Sequence, residues 1–423
     1  MQKWFSISGN EFKVFKLHFL FSIIQGVITG VFALNELVFI KDMSGTDFQL
    51  SVLLQMSALV MIISIMVNEF LRRIHDKRKL LITTAFVTHL PLLLLLFFPQ
   101  NAEAYSSSSI YHYFFLAIFL FFYFNVIIIL PTINQMLKHS YSHENFGKLY
   151  GYSSTMNKVA IMLTTLAFGF LLDKFNYSFI YIYPIMGILG IISITLLSQI
   201  PQPFETPVKS TLMKSISNSL IYAKKVLTTN KAFLHFEMGF MFYGFGWMIG
   251  TAIIPIYFNE VFEMNHATYG FYKNGYNLLA IMLLPFFGKL LGRIDARKFG
   301  VITFGSLMLF TFILGFSEYY PQYIEFGSIK IYFSLIIAYF FYGIFAATMA
   351  LLWFIGSAYF CEKEEAARYQ SIHLSMTGLR AVFSFQIGIW LYLAFGYTFT
   401  FMVAAFSLLI AVSIMFWSYK KLH

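Results

Sequence analysis

Three ionisable side chains stand where oily sequence surrounds them. Glu36, Lys158 and Arg380 each fall inside a long apolar run. A charge in such a run costs at least about 2.5–3.5 kcal/mol, so each needs a compensating role. Arg380 lies on a row with Gln370, His373, Thr377 and Ser384, spaced three and four residues apart. That spacing is one face of a helix. A second row runs through His18, Ser22, Gln25, Thr29 and Glu36. Lys158 is accompanied by Ser154, Asn157 and Thr165, and Lys273 and Asn274 by Asn277. Two cations of this kind can clamp an anionic group, and a planar guanidinium suits bidentate contact with carboxylate or phosphate. Substrate binding is therefore expected at Gln25, Thr29, Asn157, Lys158, Asn277, His373, Thr377 and Arg380. A carboxylate held away from bulk water suits a proton carrier, which points to Glu36 first and Glu237 second. The competing reading is a structural ion pair, such as Glu36 or Glu237 with Lys158 or Arg380. Glu237 lies opposite Gly239, Gly246 and Gly250 on its helix, where an interface anchor is the simpler expectation. His18, His89 and His373 lack metal-ligand spacing, and no cofactor or metal is expected; His89, ahead of Pro91, reads as a packing histidine.

The elements that must hold these residues are membrane helices. Hydrophobic residues make up 59% of the chain and charged ones 11%, against roughly 25% charged in soluble domains. Apolar runs of about 20 residues, each able to cross a hydrocarbon core about 30 Å thick, recur from end to end. Twelve are expected, at 15–40, 49–70, 80–98, 110–137, 150–172, 177–199, 232–258, 269–291, 299–317, 329–358, 370–393 and 398–418. The first is too long for a cleavable signal and is expected to stay as a helix. The fold class is thus all-α and polytopic. Cys361 is the single cysteine, which excludes an intrachain disulfide and reads as an inert thiol.

A net charge of +10 raises the question of a nucleic-acid partner, but its placement argues against one. With an even helix count both termini share a side, and most of the 29 Lys and Arg fall there. The other side holds only Lys41, Lys174, Lys273 and Lys330, with Lys158 and Arg380 inside spans. The positive-inside rule places both termini and the middle loop in the cytoplasm. The expected location is the cytoplasmic membrane, and the expected partners are the lipid bilayer, a small-molecule substrate and a proton or sodium gradient.

The chain repeats itself at an offset of 220 residues. Gly26 and Gly30 return as Gly246 and Gly250, Arg73-Ile74 as Arg293-Ile294, Glu144 and Lys148 as Glu364 and Arg368, and Phe175, Tyr177 and Phe179 as Phe395, Tyr397 and Phe399. Two parallel halves are the layout of a transporter whose site sits between them. The expected domains are an N-terminal six-helix bundle at 1–199, a cytoplasmic linker at 200–231 and a C-terminal six-helix bundle at 232–423. The linker opens with Pro201, Pro203 and Pro207, and around Ile216, Leu220 and Tyr222 it can form a short amphipathic helix on the membrane surface. Its simplest reading is a connection that lets the halves rock. With both halves in one chain, a monomer suffices. Gly26, Gly30 and Ala33 form a small-residue stripe suited to close helix packing.

Two loops carry a family resemblance. The loop between the eighth and ninth spans reads Gly288-Lys-Leu-Leu-Gly-Arg293-Ile-Asp-Ala-Arg297-Lys298, and its first-half counterpart runs from Asn68 and Glu69 through Arg73, Ile74, His75, Asp76, Lys77 and Arg78 to Lys79. They resemble the major facilitator superfamily pattern Gly-x-x-x-Asp-Arg-x-Gly-x-Arg-Lys. Gly292 and Arg72 stand where the family has Asp, and Asp295 and His75 where it has its second Gly. The family uses that Asp in charge contacts that steady the outward-open state, so the resemblance leaves this chain without that latch unless Glu69 or Asp76 replaces it. The resemblance implies twelve helices in two pseudo-symmetric bundles, alternating access by rocking, and a gating role for the loops of Arg73, Arg293 and Arg297. It does not name a substrate.

Taken together, these readings predict a secondary active transporter of a small or medium organic solute, anionic or zwitterionic, coupled to protons, with sodium second. No phosphate-binding Gly-rich loop argues for direct nucleotide drive. A multidrug or lipophile exporter on the same fold is the runner-up. A membrane enzyme is not expected, because clustered nucleophiles, paired carboxylates and metal ligands are lacking. A non-transporting sensor or scaffold would need an added signalling domain.

Overall fold

The computed structural model describes residues 8–63, 67, 70–71, 73–74, 76–105, 109–141, 143–201, 211–291, 293–362 and 365–422. Pro203, Pro207, Asn68, Glu69, Arg72, His75, Gly292 and Glu364, named above, lie outside them, as do the side chains of Glu144, Lys148 and Arg368. Among the described residues the longer helices are α1 (Gly9–Phe32), α2 (Asp47–Ile62), α3 (Lys77–His89), α4 (Ile110–Ser140), α5 (His143–Lys174), α6 (Phe179–Leu197), α7 (Leu212–Thr229), α8 (Lys231–Glu260), α9 (His266–Leu291), α10 (Ala296–Phe316), α11 (Phe333–Ile355) and α12 (Ala366–Lys421).

Where they are described, the expected spans fall largely on helix; residues 64–66, 68 and 69 of the second lie outside the described residues. Among the described residues, nine helical stretches are long and apolar enough to cross a membrane; α2 is shorter, and α9 is not one of the nine. The eleventh and twelfth spans are merged in the 56 residues of α12, which breaks its helical geometry at Gly396 (φ 83°, ψ 179°). A positive φ of this size is one that only glycine adopts readily, so Gly396 is where the one apolar run turns back as two. The tenth span begins later than expected. Residues 329–332 form a strand, β2 (Ile329–Tyr332), paired antiparallel with β1 (Tyr323–Phe326), with Glu325 opposite Lys330 and Tyr323 opposite Tyr332. Alternating β-branched and aromatic residues around Gly327 favour this hairpin over a helical start.

Helix starts follow local chemistry. Ser8 with Glu11 and Thr46 with Gln49 form capping boxes on α1 and α2, and Asp76, Asn230 and Asp295 accept backbone N–H bonds at the starts of α3, α8 and α10. These caps satisfy donors that a helix end leaves open.

The chain forms two compact units. One takes in Met1–Gly45 and Met66–Leu212, the other Thr46–Ile65 and Met213–His423. In the first, Gly26 and Gly30 let α1 press on α5: a Cβ at Gly26 would stand 2.5 Å from the Asn157 carbonyl oxygen, and one at Gly30 would stand 2.8 Å from that of Ile161. A core of Val14, Phe15, Leu81, Ile133, Leu137 and Ile194 fills one end. At the other end Phe32, Phe119, Phe122 and Tyr183 meet edge to face. His89 is seated in a notch at Gly190, whose Cβ would fall 2.0 Å from the ring, and its Nδ1 lies 2.8 Å from Thr88 Oγ1. Past α1 the chain turns at Ala33–Leu34 and rewinds through Asn35–Leu37 into a π turn at Val38–Asp42. Glu36 sits in that rewound segment rather than on a continuous helix.

In the second unit the echoed glycines serve different neighbours. A Cβ at Gly246 would meet the Ala404 carbonyl at 2.6 Å, in the second arm of α12, while close approach to the first arm falls to Gly388 against Ile249. α2, expected in the first bundle, groups with this unit. Gln55 Nε2 donates to the Val382 carbonyl and Gln386 Nε2 donates to Gln55 Oε1, and Gly378 makes room for Ile62. A buried amide must find partners, and those of Gln55 lie on α12.

Candidate functional site

The first arm of α12 presents Gln370, His373, Thr377, Arg380 and Ser384 along one face, and α8 packs against His373 and Arg380. Arg380 is 2% exposed. Its Nη1 donates to the Phe240 carbonyl, and its Cζ lies 5.5 Å from the centre of the Tyr243 ring. Its Nε finds no hydrogen-bond partner, and no carboxylate among the described residues lies within ion-pair distance of it. The guanidinium passes over Gly244, where no side chain obstructs it. Tyr243 is itself stacked on Phe304, with centroids 4.9 Å apart and planes 7° off parallel.

Two turns earlier on the same face stands a buried acid–imidazole pair. His373 Nδ1 lies 2.9 Å from Glu237 Oε1 and 3.2 Å from Oε2, with both residues 1% exposed. Glu237 is therefore a buried partner of His373, not the interface anchor expected of its helix face. Phe240 packs edge-on against the imidazole at 4.5 Å, and Trp353 lies 4.7 Å away. His373 Nε2 has no partner. Phe240 thus touches both centres, His373 through its ring and Arg380 through its carbonyl. Gln370 accepts from Ser357 Oγ at 2.6 Å and donates to the Trp353 carbonyl, which ties α12 to the end of α11. Thr377 and Ser384 return their hydroxyls to the His373 and Arg380 carbonyls.

A wall of aromatic rings adjoins Tyr243. Tyr342 stacks on Trp247, meets Tyr276 edge-on at 4.4 Å and packs against Phe310. Asn277 is half-buried beside it, its amide donating to Asn274 Oδ1 at 3.2 Å.

In the first unit the expected binding residues are spread along α1 and α5. Gln25 donates to Ser193 Oγ at 2.8 Å, joining α1 to α6. Asn157 donates to the Ser22 carbonyl at 2.7 Å, joining α5 to α1. Thr29 is exposed, and Glu36 and Lys158 are half-buried. Lys158 has no carboxylate within ion-pair distance among the described residues.

The three loop arginines differ. Arg73 and Arg293 lie in turns closed by backbone bonds to Phe70 and Leu290. Arg297 is 4% exposed and grips Asp295 through Nε and Nη2 at 3.0 and 2.9 Å, while Nη1 donates to the Ser418 carbonyl at 2.9 Å. The residue that stands in place of the family's second Gly therefore holds an arginine and ties this loop to the end of α12. Sequence reasoning passed over Phe240, Gly244 and Ser418. Gly244 was visible as a small residue one turn beyond Phe240, but nothing in the spacing showed which side chain would use its space. Among the described residues no group of three His, Cys, Asp or Glu could hold a metal ion.

The sequence matches the Major Facilitator Superfamily over residues 14–327. Solved structures similar to the chain include the nucleoside transporter NupG, with a TM-score of 0.69 at 13% identity over 96% of this chain and 100% of that one. A POT family transporter in complex with 5-aminolevulinic acid gives 0.72 at 13% identity over 96% of each chain. The xylose transporter XylE from E. coli, in a partially occluded inward open conformation, gives 0.62 at 14% identity over 97% of this chain and 98% of that one. Likeness at these identities is likeness of fold. No curated protein sequence matches the chain.

Proposed function

The chain belongs to the major facilitator superfamily, a family of membrane transporters, and from that premise we propose that it moves a small organic anion or zwitterion by alternating access, driven by protons. The observation that carries the reading is Arg380. A buried cation whose hydrogen bonds go only to neutral groups bears an uncompensated desolvation cost. A substrate carboxylate or phosphate would supply the missing charge and accept from the unused Nε. His373 and Thr377 share its helix face.

Proton coupling rests on the Glu237–His373 pair. Glu237 bonds to His373 two turns along the α12 face from Arg380, with Phe240 touching both centres, so a proton placed on Glu237 would leave less negative charge near Arg380 and raise its demand for an anion. Binding and protonation then favour each other by linkage. Glu36 is the second carboxylate for this role. The termini and the loop before α8 are assigned to the cytoplasm and the protein to the cytoplasmic membrane, working as a monomer.

The test is a thermal-shift screen of purified protein against carboxylates, amino acids and phosphate esters, repeated with Arg380→Ala. A ligand should raise the wild-type midpoint in proportion to occupancy and leave the variant unmoved. Equal stabilisation of both proteins by every hit would overturn the assignment. The aromatic wall of Trp247, Tyr276 and Tyr342 favours a second reading, export of an amphipathic or lipophilic solute. Dye efflux without carboxylate uptake in proteoliposomes would select it.

A further inference from the structure

The helix α7 precedes α8 by one residue, Asn230, and α8 is long and apolar enough to enter a membrane directly. α7 is therefore held at the edge of the bilayer. One side of it is engaged: Val226 is buried, and Tyr222 donates from its hydroxyl to Glu365 Oε1 at 2.7 Å. At its end Asn230 donates to the Phe360 carbonyl at 2.8 Å and reaches Tyr369. The other side is open. Met213, Leu220 and Ile221 are 77%, 58% and 65% exposed, and Lys214, Lys224 and Lys225 are exposed around them. Positions 213, 217, 220, 221 and 224 follow helical spacing, so apolar groups and a lysine share one face with lysines beside it.

We propose that this face binds a leaflet of anionic lipid, and that the bound state is transmitted to α12 through Tyr222 and Glu365. Three large apolar side chains facing outward beside an entering membrane helix match the acyl boundary, and three lysines match phosphate-bearing headgroups that carry net negative charge. Lysine stems can lie along the apolar layer with their ammonium groups at the headgroups. Zwitterionic lipid offers the apolar layer without the net charge, so lipid charge sets how firmly α7 docks. Glu365 immediately precedes α12, whose first turns carry Tyr369 and His373. Docking of α7 therefore restrains the segment that leads to Arg380. This inference stands on α7 and its contacts and does not depend on the substrate assigned above.

The experiment uses the full chain with Cys361→Ser and Leu220→Cys, spin-labelled at 220. It is placed in nanodiscs of phosphatidylcholine, or of equal parts phosphatidylcholine and phosphatidylglycerol. In the anionic discs the label should become accessible to oxygen and shielded from a water-soluble nickel chelate. In phosphatidylcholine it should remain nickel-accessible. Replacing Lys214, Lys224 and Lys225 by Gln should remove the difference. A label that is nickel-accessible in both lipids, or shielded equally in both, overturns the lipid assignment. Hydrogen exchange over residues 366–373 reads the transmission. It should slow in the anionic discs for the parent and not for Tyr222→Phe; equal slowing in both overturns the link to α12.

Discussion

The guanidinium of Arg380 fills the space that a side chain at Gly244 would occupy: a Cβ there would stand 1.9 Å from Nε and 2.1 Å from Cζ. Gly244→Ala must push the guanidinium away, and overpacking of this kind costs about 1–3 kcal/mol. Arg380→Ala empties the space. The double variant should be more stable than the sum of the single losses implies, with a coupling on the order of 0.5–3 kcal/mol. A thermal-unfolding cycle in detergent checks this, and strictly additive losses would show that the guanidinium is not seated over Gly244.

Glu237 and His373 form a buried pair, so removing the carboxylate leaves an imidazole N–H without its acceptor. Glu237→Ala should cost about 1.5–3 kcal/mol of stability, the range for hydrogen bonds to charged groups. Glu237→Gln keeps an acceptor and should fold close to wild type, but it cannot carry the proton. With a ligand found in the screen, wild-type protein should exchange protons with a weakly buffered dye solution on binding, and Glu237→Gln should not. Undiminished proton exchange in that variant would move the coupling role to Glu36.

Gln25 and Asn157 spend their amide donors on Ser193 and the Ser22 carbonyl. Each change to Ala should lower stability by about 0.5–1.5 kcal/mol, the net worth of a hydrogen bond. Ligand-induced stabilisation should survive. Its loss in either variant, with the fold intact by circular dichroism, would make that residue a substrate contact as well as a helix tie.

Arg297 joins Asp295 to the Ser418 carbonyl, so Arg297→Ala should loosen the loop before α10 and the end of α12 together. The expected cost is about 1–3 kcal/mol, since a charged hydrogen-bonded group is lost from a site where Asp295 remains partly solvated. Limited proteolysis near residues 293–297 and after 418 should rise in parallel. A rise at only one of the two would break the link.

Burial and the neighbouring Glu365 push the Cys361 thiol up from its ordinary value. The thiolate is the reactive form, so maleimide labelling should be slow at neutral pH and accelerate as pH rises. Glu365→Gln removes one of the two causes and should speed labelling at fixed pH. Unchanged rates would leave burial as the sole cause.

Polar residues at helical spacing inside oily runs were legible from the start, because an apolar solvent leaves few places for them. Arg380, His373 and Thr377 fell on one face for that reason. Their partners were not legible. Glu237 precedes His373 by 136 residues, and helix periodicity says which way each points without saying what it meets. The Gly26 and Gly246 echo likewise announced close packing, yet one presses on α5 and the other on the second arm of α12.

The sequence by itself determined that this chain lives in a bilayer as a run of apolar helices, that its halves repeat and that certain charges need a purpose. Length, hydropathy and spacing suffice for those, since each depends on neighbours along the chain. Only the tertiary structure decided that Gly244 admits Arg380, that Glu237 meets His373, that α2 packs on α12 and that Gly396 bends one long helix into two. Those outcomes depend on close packing and hydrogen bonding between segments far apart in sequence, where a single methyl group decides what fits.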